Sequence, residues 1–229
     1  FKQREGWPEL TDRWPVVPAT TLLTKFMQAA EAAAPGRRAI AVRQARFHKW
    51  IVAVPAVDIA LTVTPVDADH VDVRLGDYAQ AIIELADEFA AVPPAPMTLD
   101  DSAARPAPIT ARELYERRWM FEGPQFHAIT GLGRVGERHV SATLTTPTAP
   151  GALLDNIGQV LGYWIVACFD RRAVVFPIGV GRMTFYGEHP PPGTELQCRI
   201  AIRELTETVL VADAQLIVDG RVWVDIVGW

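Results

Sequence analysis

The run ALLDNIGQVLGYWIVACF, residues 152–169, limits what this chain can fold into more than any other part of it. It is long enough for a helix of several turns, and Asp155 is its single charged residue. A helix on a protein surface shows an apolar stripe backed by a polar face, whereas one that is apolar all round has to be enclosed. Its uninterrupted apolar part, Val160 to Phe169, is shorter than the roughly 18 to 20 residues that a membrane span requires. The rest of the chain must therefore wrap around this helix.

A second helix-length run, ATTLLTKFMQAAEAAA, follows Val17-Pro18 and is closed by Pro35-Gly36, residues that stop a helix. What comes after each helix has the same pattern. AIAVRQARFHKWIVAV, VDIALTVTPV, HVDVRL and AQAIIELADEF follow the earlier one; AVVFPIGVGRMTFYG, TELQCRIAI, TVLVADAQLIV and RVWVDIVGW follow the later one. The alternation in VDIALTV, TELQCRIAI and VLVADAQLIV is the period of half-buried antiparallel strands. Sliding one half over the other brings Phe47 near Phe185, 138 residues on, and Asp58 near Glu195, 137 residues on. One unit is used twice.

Between the halves, residues 90–110 carry five prolines, which neither a helix nor a sheet ladder accommodates. The expected organisation is an N-terminal unit over residues 1–92, a proline-rich linker over 93–110 and a C-terminal unit over 111–229. The segment ARELYERRWMFEGPQFHAITGLGRVGERHVSATL supplies an opening helical turn and two further strands to the second unit. Its counterpart in the first is short, around Phe1 to Leu10. A long apolar helix followed by a meander predicts an α+β double hotdog: two antiparallel sheets, each wrapped around a long apolar helix.

Composition excludes several classes of function. At 49% hydrophobic the chain is too apolar to stay disordered, and 22 Lys and Arg against 27 Asp and Glu leave a net charge of -5. That balance offers no basic footprint to nucleic acid or an anionic membrane. The opening FKQREGWPEL has no apolar signal core and no initiating Met, and the closing VWVDIVGW stops on a predicted strand, so a domain of a longer polypeptide is expected. Cys168 and Cys198 mark neither a disulfide framework nor a zinc site and are read as reduced thiols in the cytoplasm.

Few residues are placed to do chemistry. Gly131-Leu132-Gly133-Arg134-Val135-Gly136 matches a dinucleotide fingerprint in letters, but the residues after it alternate like a strand, so a glycine-rich hairpin turn is expected. The five histidines have no metal-ligand spacing. His70, His139 and His189 read as solvated loop residues. His48 and His127 each follow a Phe in an apolar strand and belong either to an outer sheet face or to a pocket wall. Asp155 is the most informative acid, since a carboxyl in a core helix must be paired, hydrogen-bonded or protonated. Gln159 stands one turn along the same face. A place in the first helical turn, favoured by the helix dipole, would account for Asp155 equally well.

GALLDNIGQVLGYW resembles the LD-x-x-x-Q signature of dehydratase domains in type I polyketide synthases. ELYERRWMFEGPQFHAI is similar to the segment that precedes it, with its Gly-Pro-x-Phe core at Gly123, Pro124 and Phe126, and DRWPVVPATTLL resembles the N-terminal active-site loop. The resemblance runs along essentially the whole chain. It implies a tunnel that receives a β-hydroxyacyl thioester on the phosphopantetheine of an acyl carrier protein, with no cofactor or metal of the domain's own. A His from the first unit would take the α-proton, and Asp155, supported by Gln159, would protonate the departing hydroxyl to leave an α,β-unsaturated thioester. Pro18, Gly123, Pro124 and Phe126 would contact substrate. Flanking synthase domains and a second copy of the chain are the further partners implied.

The His itself does not carry over. Arg13 follows Asp12 where the family's Asp-His pair would put it, and spacing back from Pro18 lands on Glu9 instead. Arginine stays protonated and cannot act as a base. Glu122 is a second departure, at a position where the family often has Tyr. Either His48 or His127 supplies the base, or the family His lies before Phe1, or the domain is a structural or carrier-binding pseudo-dehydratase. An Arg13 that reached Asp155 would hold it ionised; one facing outward would suit the phosphate of the carrier's arm. A product-template-like cyclase would use the same tunnel and the same pair.

Overall fold

The structure, a computed structural model, describes residues 16–168 and 176–229. Arg13, Asp12, Glu9 and the expected short counterpart at Phe1 to Leu10 lie outside the described residues. The first half runs α1 (Ala19–Ala33), β1 (Arg38–Phe47), β2 (Leu61–Pro65), β3 (His70–Leu75) and β4 (Ala79–Ala86). β5 (Arg105–Pro106), α2 (Ala111–Glu116), β6 (Ile129–Val135) and β7 (His139–Thr145) follow. The chain ends with α3 (Ala152–Cys168), β8 (Gly179–Phe185), β9 (Glu195–Leu205), β10 (Leu210–Val218) and β11 (Arg221–Val227).

The strands are antiparallel and stand in the order β2-β3-β4-β1-β8-β11-β10-β9-β7-β6-β5. The hotdog architecture is doubled as expected, with one difference: the two sheets are a single one, joined where β1 pairs with β8. The reason is that β1 and β8 are the edges of their own meanders, and joining them gives each a partner on its otherwise open side. Outward from this seam the order is β4, β3, β2 on one side and β11, β10, β9 on the other, as the internal repeat predicts. Arg43 and Arg182 face each other across the seam, and Glu84 on β4 neutralises them, 2.6 Å from Arg43 and 3.9 Å from Arg182.

Both helices lie inside the curl of this sheet. Leu22, Leu23, Phe26 and Ala30 bury one stripe of α1, while α3 buries Leu153, Ile157, Val160, Tyr163 and Trp164 on several sides, the enclosure its sequence demands. Trp164 donates its indole N–H to the Gly136 carbonyl at 3.0 Å. No helix among the described residues is long and apolar enough to cross a membrane.

Gly151 sets the approach of the two helices. Its φ of +78 lies in the left-handed region, and a Cβ there would stand 2.6 Å from the Thr21 nitrogen. Only glycine lets the start of α3 come this close to the start of α1. Thr21 accordingly donates to the Pro150 carbonyl at 3.2 Å.

The proline-rich stretch is fastened to the second half of the sheet. Met97 donates its N–H to the Gln215 side chain at 2.6 Å, its carbonyl accepts from Arg199 at 2.8 Å, and β5 pairs with β6. This strap helps to explain why β10 is buried on both faces from Ala212 to Ile217 rather than in alternation.

Three sequence expectations need correction. Gly131 and Gly133 lie within β6 rather than in a turn, where a Cβ on Gly133 would stand 2.9 Å from the Ser141 carbonyl oxygen of β7; only Gly136 is at the turn. His139 is not a solvated loop residue: it opens β7, is buried, and its Nε2 meets Asp101 at 3.1 Å. His70 likewise belongs to a strand, β3, with its Nδ1 at 2.8 Å from Asp67.

Candidate active site

Where the first turns of α1 and α3 meet the ends of β1 and β8, a cavity of about 340 Å³ opens. Its walls are mostly apolar, including Val17, Leu22, Met120, Leu161 and Trp229. At its edge Trp50, Phe121 and Phe176 are exposed, with the Trp50 and Phe176 rings edge to face at 4.5 Å. Asp155, Gln159 and Glu122 are among the polar residues in the lining.

Asp155 sits in the first turn of α3, so the dipole reading and the buried-acid reading both hold. Its Oδ2 accepts from Gln159 Nε2 at 3.0 Å and its Oδ1 from Thr20 Oγ1 at 3.5 Å. Burial pushes the carboxyl above its ordinary range, and these two donors pull against that shift.

A network holds Gln159 in place. Its Nε2 also donates to the Phe126 carbonyl at 2.9 Å, which turns its Oε1 toward the Tyr115 hydroxyl at 3.1 Å. That hydroxyl accepts the Ile129 N–H at 3.1 Å and has one proton to give, to Gln159 or to Asn156 Oδ1 at 3.2 Å. Asn156, fully buried, donates to the Phe126 and Ala152 carbonyls at 2.8 and 2.7 Å and accepts the Ala128 N–H at 3.1 Å. α2 delivers Tyr115 to this network. A capping box starts that helix, Thr110 accepting from the Glu113 N–H and Glu113 from the Thr110 N–H.

Glu122 comes from the loop between α2 and β6. Its Oε2 is buried and has no hydrogen-bond partner among the described residues. Burial and the charge of Asp155 push its carboxyl up to about 8, against an opposing pull from backbone N–H groups and Arg118. Two carboxyls thus face one apolar enclosure.

The structure brings Asp155, Gln159 and Pro18 together on the cavity. Pro18 precedes α1, and its carbonyl accepts the N–H groups of Thr21 and Leu22. Gly123, Pro124 and Phe126 do not line it: they form a short turn whose Phe126 carbonyl anchors Gln159 and Asn156, a positioning part rather than a wall. Arg13 lies outside the described residues. His48 is exposed at the end of β1 and lines the cavity. His127 does not; its ring stacks on Tyr115 at 3.8 Å and its Nε2 faces the Glu122 carbonyl at 3.0 Å, while burial lowers its pKa. Sequence reasoning missed Tyr115, Asn156 and Thr20, and noted Glu122 only as a departure from a pattern. The signal for Asn156 was present, an amide in the same apolar helix as Asp155.

The family model for the polyketide synthase dehydratase N-terminal domain matches residues 93–229. The chain belongs to the polyketide synthase dehydratase family. This dehydratase-like domain also shares its fold with solved structures. The dehydratase domain of RzxB from Pseudomonas fluorescens superimposes with a TM-score of 0.71 at 16% identity, covering 93% of this chain and 84% of that one. A dehydratase domain of a mycocerosic acid synthase-like polyketide synthase gives 0.70 at 20% identity, covering 93% and 80%. The dehydratase domain of PpsC from Mycobacterium tuberculosis, in complex with C12:1-CoA, gives 0.70 at 18% identity, covering 93% and 83%. No curated protein sequence matches the dehydratase-like domain.

Proposed function

We propose that this domain removes water from a β-hydroxyacyl thioester carried on the phosphopantetheine of an acyl carrier protein, giving an α,β-unsaturated thioester. The observation that carries the reading is Asp155: a carboxyl with a raised pKa, oriented by Gln159, on the wall of an apolar cavity. Such a carboxyl takes up a proton more readily than a solvated one and can give it to a departing hydroxyl. The reaction needs no cofactor of the domain's own. Its partners are the carrier protein, flanking synthase domains and a second copy of the chain, in the cytoplasm. Residues 1–92 and 111–229 act as the two hotdog units, with 93–110 joining them, a division that the mirrored strand order about β1 and β8 supports.

The test is loss of one water, read by intact mass, after incubation with a β-hydroxyacyl thioester on carrier protein or pantetheine. The parent should release water and Asp155→Asn should not. A parent that binds the thioester but releases none would favour a carrier-binding role, the reading that the absence of a His at residues 9 and 13 already suggests.

A further inference from the structure

We propose that Glu122 is the second proton-transfer residue of this site, forming with Asp155 a carboxyl pair that shares one proton and supplies both acid and base. The inference rests on the dehydration reading above and adds the residue that takes the α-proton.

The geometry comes from two separate elements. Asp155 projects from α3, and Glu122 from the loop that the Phe126 carbonyl pins to α3 through Asn156 and Gln159. Both line the same cavity, and the charge of Asp155 bears on Glu122 through a low-dielectric interior. The two environments differ. Asp155 accepts from Gln159 and Thr20, whereas Glu122 Oε2 is buried without a donor. Two carboxyls so placed do not ionise together, and near neutral pH the pair retains one proton. At rest the donors favour that proton on Glu122. A substrate hydroxyl lying against Asp155 competes for those donors and draws the proton to Asp155.

Glu122 is then the carboxylate facing the α-carbon. The Cα–H bond breaks and its proton goes to Glu122, the electron pair forms the Cα–Cβ double bond, and the Cβ–O bond breaks as Asp155 protonates the hydroxyl. Water leaves, and the pair again holds one proton. A phenol at position 122 could not accept a proton in this way near pH 7, which gives the departure from Tyr a chemical meaning. Among the described residues, the other titratable or charged groups around the pair are Arg118, Tyr115 and His127 beside Glu122, with His48 and Lys49 on the cavity wall.

The experiment measures water loss against pH for the parent, Glu122→Gln, Glu122→Asp and His48→Asn, together with acyl-pantetheine binding. The carboxyl of Glu122 is titrated by carbon-13 NMR in the parent and in Asp155→Asn. The expected result is a bell-shaped parent profile and a loss of about 10²- to 10⁴-fold in Glu122→Gln. Binding should be retained, Glu122→Asp should recover part of the rate, and Glu122 should titrate at lower pH once Asp155 is replaced. Glu122→Gln with the parent's rate and profile overturns the inference and leaves Asp155's role standing, as does loss confined to His48→Asn. A parent that releases no water overturns the dehydration reading and with it the pair's catalytic role. A Glu122 titration unmoved in Asp155→Asn overturns the shared proton whatever the activity.

Discussion

Replacing Glu122 by glutamine removes a buried carboxyl while keeping its volume, and should flatten the pH dependence of the domain's stability. In the folded chain this carboxyl ionises at about 8, against 4.5 for the solvated side chain, first because it is buried and second because Asp155 repels its charge. Between those values the folded state keeps the proton that the unfolded state has lost, so stability falls as pH rises. The contribution is fully present below 4.5 and gone above about 8. At about 1.4 kcal/mol per pH unit, the whole window is worth on the order of 5 kcal/mol, and the part from about pH 6 to about pH 9 roughly 3 kcal/mol. Glutamine has no proton to lose. Urea-unfolding free energies of parent and variant should therefore diverge across that range, the variant gaining about 3 kcal/mol on the parent by about pH 9. Asp155, also raised, adds a slope of the same sign to both proteins. A difference that stays constant to within about 0.5 kcal/mol would refute the reasoning, since Glu122 would then ionise as freely as in water.

Asn156→Leu should lower stability by about 3 kcal/mol, about 1 for each of its bonds to Phe126, Ala152 and Ala128; a fall below about 1 kcal/mol in urea unfolding would contradict the network. Gly151→Ala should cost about 2 to 3 kcal/mol, because the backbone is left-handed there and the new Cβ meets α1; an unchanged thermal midpoint would show that the helices can part freely. Tyr115→Phe leaves the Ile129 N–H without its acceptor and Gln159 without one anchor, so stability should drop about 1 to 2 kcal/mol. Water loss should slow in that variant with thioester binding retained; an equal rate would remove Tyr115 from the positioning network.

Much of the fold was legible in the chain because burial leaves a mark on residue order. The all-round apolar character of residues 152–169 called for an enclosed helix, and α3 is one. Alternation in TELQCRIAI located a strand, and β9 buries every second residue there from Leu196 to Ile202. Asp155 and Gln159 could be paired from sequence, since a spacing of four puts them on one helix face, and the bond between them is a property of that helix alone. The closed seam was not legible: whether β1 pairs with β8 depends on edges that meet only after both meanders have formed. The glycines of GLGRVG misled for a similar reason. Their lack of a side chain serves a close approach to β7, a neighbour that local pattern does not reveal.

The sequence by itself determined the enclosed helix, the twofold use of one unit and the acid at position 155, because each follows from local periodicity and from the free energy of burying what the residues carry. Only the tertiary structure decided that Glu122 shares a cavity with Asp155, that Tyr115 and Asn156 hold Gln159, and that His127 is turned away while His48 lines the wall. Those relations join residues from separate elements. They arise when packing brings the elements within hydrogen-bonding or Coulombic range, and that distance is written nowhere in the order of the chain.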